Sequence, residues 1–162
     1  MKTCIFIVGD RRSGKTSTIK SLTGCSRNGL WTVRSLNNKP LMAFVVLSAI
    51  TELGGNENPP NKFPDSLEKR FDVNRNKYKI LICPFELNTW EKYSLDKYIQ
   101  NARSQSFHVK VAVIEKDYSD SSYDISNIRD ICKKLKIPLL NLNITNDYNE
   151  ESRKIRKKFY PK

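Results

Sequence analysis

Apolar residues in this chain fall into short runs, and most of the runs are separated by polar stretches with helical spacing. Residues 2–8 read as a strand, and residues 14–22 as a helix with Ile19 and Leu22 three apart on one side. Two further runs, 31–36 and 41–48, flank Asn37-Asn38 and predict a hairpin. Gly54, Gly55, Pro59, Pro60 and Pro64 then mark a long loop. A helix follows with Pro64 and Asp65 at its start. Three strand–helix units complete the chain: strand 78–83 with helix 89–103, strand 109–115 with helix 125–135, and strand 139–142 with helix 150–159. Strands joined through helices of this length require parallel crossovers. The expected architecture is therefore a three-layer α/β fold, with a mostly parallel five-stranded sheet and helices on both faces.

Composition is consistent with one such layer stack. The chain has 162 residues, 38% hydrophobic and 28% charged, enough for one substantial core and thus a single domain over residues 1–162. The longest apolar run, 41–50 with one serine inside, is well short of the roughly 20 residues a membrane-spanning helix needs. The opening residues lack the apolar region and cleavage site of an export signal. A soluble protein of the cytoplasm is expected. Cys4, Cys25, Cys83 and Cys132 form no CxxC pair and read as free buried thiols rather than a zinc or redox site. His108 is the lone histidine, with no assignable catalytic or metal-binding partner.

One turn carries chemistry. Gly9-Asp10-Arg11-Arg12-Ser13-Gly14-Lys15-Thr16 satisfies G-x-x-x-x-G-K-[ST], with a predicted strand before it and a helix after it. Gly9 and Gly14 permit torsions and close approach that let backbone N–H groups converge on phosphate oxygens, and the helix start adds positive potential. Lys15 suits the β- and γ-phosphates, and the Thr16 hydroxyl suits Mg²⁺. The segment resembles the Walker A motif of the P-loop nucleoside triphosphatase superfamily, and the β–α alternation resembles its fold. The resemblance implies binding of ATP or GTP with Mg²⁺ at Gly9, Ser13, Gly14, Lys15, Thr16 and Ser17; Arg12, whose side chain the motif does not prescribe, is a further candidate to face the nucleotide. The resemblance does not fix the reaction, and the expected function is an NTPase or nucleotide-dependent switch, in which Lys15 would also serve catalysis.

The family's second motif, an acid closing an apolar strand, has three candidates here. In order they are Glu86, Glu52 and Asp117, the first two as metal-positioning acids and Glu86 also as the catalytic one. None shows the plain pattern of four apolar residues followed by an Asp, so slow intrinsic hydrolysis is expected. The last strand and helix look like those of small G domains, but Thr51 stands where their Asp-x-x-Gly acid would fall. Glu115-Lys116-Asp117-Tyr118 replaces the guanine-reading Asn-Lys-x-Asp. A small nucleotide or metabolite kinase is the alternative enzyme, with Arg70, Arg75 and Arg103 as candidates to close over phosphates.

Charge suggests a third reading. The net charge of +12 is split as +7 over residues 1–40, −1 over 41–128 and +6 over 129–162. If the two basic ends meet, they attract polyanions. Arg153, Lys154, Arg156, Lys157 and Lys158, with Tyr160 as a stacking group, would then serve a nucleotide-dependent module that binds nucleic acid or an acidic protein.

Overall fold

The computed structural model describes residues 1–49, 58–87, 94–144 and 147–162. In chain order the elements are β1 (Lys2–Gly9), α1 (Lys15–Thr23), β2 (Gly29–Arg34), β3 (Pro40–Val45), α2 (Asp65–Arg70), β4 (Ile80–Glu86), α3 (Leu95–Ser104), β5 (Phe107–Lys116), α4 (Ser126–Leu135), β6 (Leu139–Asn143) and α5 (Tyr148–Phe159). They build one sheet in the order β2-β3-β4-β1-β5-β6. Six strands therefore stand where five were expected. Both arms of the hairpin join the sheet, because β3 pairs in parallel with β4 at Ala43, Phe44 and Val45. Only the β2–β3 pair is antiparallel among these strands.

The central strands explain their own composition. β1 lies between β4 and β5 and is covered on both faces, so nearly every position is buried and the sequence is a continuous apolar run. Alternate residues feed two cores. Phe6, Val8, Phe44, Cys83, Phe85 and Val111 meet Leu67, Tyr98, Ile99, Ile128 and Cys132 of α2, α3 and α4. Ile5, Ile7, Val45, Ile82 and Ile114 meet Ile19 of α1 and Ile155 and Phe159 of α5 on the other face. All four cysteines are free and buried, as their apolar settings suggest. Burial pushes the Cys4 thiol well up and raises that of Cys132 to about 11. No helix among the described residues is long and apolar enough to cross a membrane.

The layering also positions the site. The chain leaves β1 into α1 on one face and returns from β4 through α3 on the opposite face. Adjacent parallel strands whose connections diverge this way leave a crevice beyond their carboxyl ends, where ligands of open α/β sheets bind. Gly9 and Glu86 are the last paired positions of β1 and β4, side by side at the carboxyl end of the sheet.

Candidate functional site

The loop leaving β1 is shaped by two special backbone positions. Arg12 has φ of 62° and Gly14 a φ of 104°, and the N–H of Ser13 donates to the Asp10 carbonyl at 3.1 Å. Alternating right- and left-handed torsions turn amides into a concave, electropositive nest. α1 then starts without a side-chain cap or an acidic residue in its first turn. Its first amides thus keep their positive potential for another partner.

Both loop glycines are sterically required. A Cβ on Gly9 would lie 2.3 Å from Ser13 Oγ, and one on Gly14 would lie 2.6 Å from Ile144 Cδ1 and 2.8 Å from Tyr148 Cε1. Lys15 is only 8% exposed. Its ammonium donates to the carbonyls of Gly9 at 3.0 Å and Asp10 at 2.7 Å, which holds the charge within the loop. The buried Ser13 hydroxyl has no hydrogen-bond partner among the described residues.

A cleft of about 250 Å³ opens over this loop, lined by Arg11, Arg12, Gly14, Lys15, Thr16, Ser17, Leu47, Ala49, Glu86, Tyr118 and Tyr148. The Thr16 hydroxyl donates to the Leu47 carbonyl at 3.1 Å. Glu86, at the end of β4, is 6% exposed. The structure thus brings Arg12, Gly14, Lys15, Thr16, Ser17 and Glu86 to one cleft, with Gly9 and Ser13 in the loop behind it. Glu52 lies outside the described residues. Asp117, the third acid considered, is committed to its own turn: it accepts from the N–H of Ser119 at 2.8 Å, the N–H of Ser121 at 3.0 Å and the Tyr123 hydroxyl. The Tyr123 phenol and then those amides hold its carboxyl below the usual range, while the phenol itself is pushed up to about 12.

Two arginines proposed to reach phosphates are placed elsewhere. Arg75 precedes β4 at the amino edge of the sheet, where it binds both oxygens of Glu68 at 2.7 Å, Gln105 Oε1 at 2.6 Å and Asp65. Arg103 donates to the Lys136 carbonyl at 3.4 Å. Both lie at the end of the sheet opposite the β1–α1 loop, Arg75 within a hydrogen-bonded cluster and Arg103 on the surface. Arg70, at the end of α2, lines a separate cleft with Lys62 and Lys69.

The two basic ends of the chain do meet, since α1 and α5 share one face and the Leu36 N–H donates to the Pro161 carbonyl at 3.0 Å. Several tail cations are nevertheless spent inside the protein. Arg156 donates to the carbonyls of Arg34 and Ser35 at 3.2 and 2.8 Å, Lys158 to the Leu139 carbonyl at 2.9 Å, and Lys154 to Glu151 at 2.8 Å. Arg153 and Lys157 are exposed on the same helix. Tyr160 is 4% exposed, so the stacking role read from its place in the tail is not available to it. It is a core residue beneath the hairpin.

Sequence reasoning missed the two aromatic walls of the cleft. Tyr118 follows the end of β5 and Tyr148 opens α5, each isolated in a polar stretch. Neither belongs to a periodic pattern; only their position after a parallel strand or at the helix that follows one hints at the site.

No protein-family model and no curated protein sequence matches this chain. Among solved structures, the chain is similar to a tunicamycin resistance protein from Deinococcus radiodurans, with 13% identity, a TM-score of 0.52 and 100% of both chains covered. It also aligns with a de novo designed protein of the PLOOP2X3_50 fold at 10% identity and a TM-score of 0.49, covering 97% of this chain and 90% of the design. The likeness to the Deinococcus protein bears on the fold alone, which is a three-layer α/β architecture.

Proposed function

We propose that this protein binds a nucleoside triphosphate, ATP or GTP, with Mg²⁺ at the β1–α1 loop, and that it acts as a slow nucleoside triphosphatase or nucleotide-dependent switch. The observation that carries this reading is the buried Lys15 ammonium, held against the Gly9 and Asp10 carbonyls inside a loop whose glycines have no room for a side chain. A triphosphate supplies opposite charge at the place where the ammonium and the α1 amides converge. The orphaned Ser13 hydroxyl and the glycine cradle fit an anion there as well.

The donor set also fits Mg²⁺. This ion keeps much of its water and takes one or two protein oxygens beside the phosphates, and Thr16 and Glu86 are the residues that would hold it. When bound, it supplies charge neutralisation on the phosphate oxygens. The protein's own part is to fix the phosphates with the loop amides and Lys15, and to hold the Glu86 carboxylate beside Gly9. Glu86 is the sole carboxylate among the described residues of the cleft. Metal positioning and water orientation therefore compete for one group, which supports slow turnover.

Calorimetric titration of Mg·ATP and Mg·GTP into the protein and into Lys15→Ala tests the reading. A charge-assisted contact of about 1.5–3 kcal/mol corresponds to roughly ten- to hundredfold weaker binding in the variant. Equal affinity in a variant with an unchanged circular dichroism spectrum rules the site out.

A further inference from the structure

We infer that Tyr118 is the platform on whose face the base of the bound nucleotide stacks, so that adenine and guanine nucleotides bind alike. The inference rests on the triphosphate reading and adds to it the part of the ligand beyond the phosphates.

Tyr118 is 59% exposed, the one aromatic side chain among the exposed large hydrophobic residues of the described chain. It stands on the wall of the phosphate cleft. Its backbone is fixed rather than loose. Asp117 accepts the amides of Ser119 and Ser121 and the Tyr123 hydroxyl, the Asp117 N–H donates to the Ser121 carbonyl at 3.1 Å, and the Tyr123 N–H donates to the Glu115 carbonyl at 2.9 Å. A ring carried on a self-bonded turn loses little freedom when a planar ligand covers it. Tyr148, by contrast, closes on Gly14 and belongs to the wall of the loop itself.

The same turn engages the acid nearest to Tyr118 in sequence. Asp117 follows β5, and its carboxylate is the nearest acid in sequence to Tyr118, but three donors within the turn already occupy its two oxygens. Glu86, the other acid considered, sits across from Gly9 on the phosphate side. Sites that hydrogen-bond a substrate edge reject analogues by about 10⁴–10⁵. Stacking does not, because every base presents a π-face. The structure therefore favours a stacking platform with little preference between ATP and GTP.

The test is calorimetry with Mg·ATP, Mg·GTP and Mg·tripolyphosphate on the protein, Tyr118→Ala and Tyr118→Phe. Base stacking on an aromatic side chain predicts a loss of roughly five- to hundredfold on alanine substitution. Tyr118→Ala should weaken ATP and GTP in parallel by that factor and leave tripolyphosphate unchanged, and Tyr118→Phe should restore nucleotide affinity. Retained nucleotide affinity in Tyr118→Ala, or a preference above about a hundredfold for one purine, overturns this inference while leaving the phosphate site intact. Failure of tripolyphosphate and both nucleotides to bind the unaltered protein overturns both.

Discussion

Gly14 and Gly24 flank the same helix, both have left-handed backbone torsions, and they differ in what surrounds them. Gly14 has φ of 104° and no space for a Cβ, whereas Gly24 has φ of 73° and nothing within 4 Å of the position a Cβ would take. Replacing either by alanine places an L-residue in the left-handed region, at a cost of about 1–2 kcal/mol. At Gly24 that should be nearly the whole effect. At Gly14 the new methyl also meets the buried Ile144 side chain and the Tyr148 ring, and overpacking of this kind costs a further ~1–3 kcal/mol. The expected totals are about 1–2 kcal/mol for Gly24→Ala and about 2–5 kcal/mol for Gly14→Ala. Urea denaturation followed by circular dichroism reads both as shifts in midpoint at constant slope. The pair controls for the torsional term, so the difference isolates crowding at the mouth of the phosphate loop. A Gly14→Ala protein no less stable than Gly24→Ala refutes the packing described around the loop.

Two other substitutions address the acid and the tail. Glu86→Gln should retain Mg·ATP binding within about tenfold, since a single carboxylate contact is lost, and should abolish whatever slow hydrolysis the protein performs; rapid phosphate release by the unaltered protein alone contradicts the proposed slow turnover. Arg156→Ala should destabilise by about 1–3 kcal/mol, because it strips a charged donor from the carbonyls of Arg34 and the buried Ser35, whereas Lys157→Ala on the exposed side should stay within about 0.5 kcal/mol; equal effects in the two melts would return α5 to the status of a uniformly solvated basic face.

The parts of the molecule legible in the sequence are those fixed by local patterns. β1 and α1 follow from an apolar run, a glycine-framed turn and helical spacing, and the hairpin follows from Asn37-Asn38 between two apolar runs. The strand count was misjudged because the pairing of β3 with β4 spans the long connection between them, and no local period encodes such a contact. Arg75 illustrates the same limit for side chains. An arginine in a polar stretch carries no sign of which end of the sheet it will occupy, and here Glu68, Asp65 and Gln105 converge on it from α2 and the end of α3. Tyr160 looked like part of a charged tail because its neighbours are lysines. Its burial arises where the chain end runs beside the hairpin and the Pro161 carbonyl accepts from Leu36.

The candidate site belongs to the topology as much as to the motif. The glycines, Lys15 and Thr16 come from one continuous stretch, and their spacing alone predicts a phosphate nest. Glu86 and Tyr118 reach the same cleft from the two strands that flank β1, one on each side. β4 delivers a carboxylate opposite Gly9 because its register with β1 ends there, and β5 delivers an aromatic ring because its last residues turn back on themselves through Asp117. A parallel sheet ends all its central strands on one side, so residues remote in sequence converge wherever neighbouring connections part to opposite faces. That convergence explains why the proposed acid can be an isolated Glu after Pro84 and Phe85 rather than part of a recognisable motif: the role proposed for it needs only the final position of β4, and the pairing with β1 supplies that position.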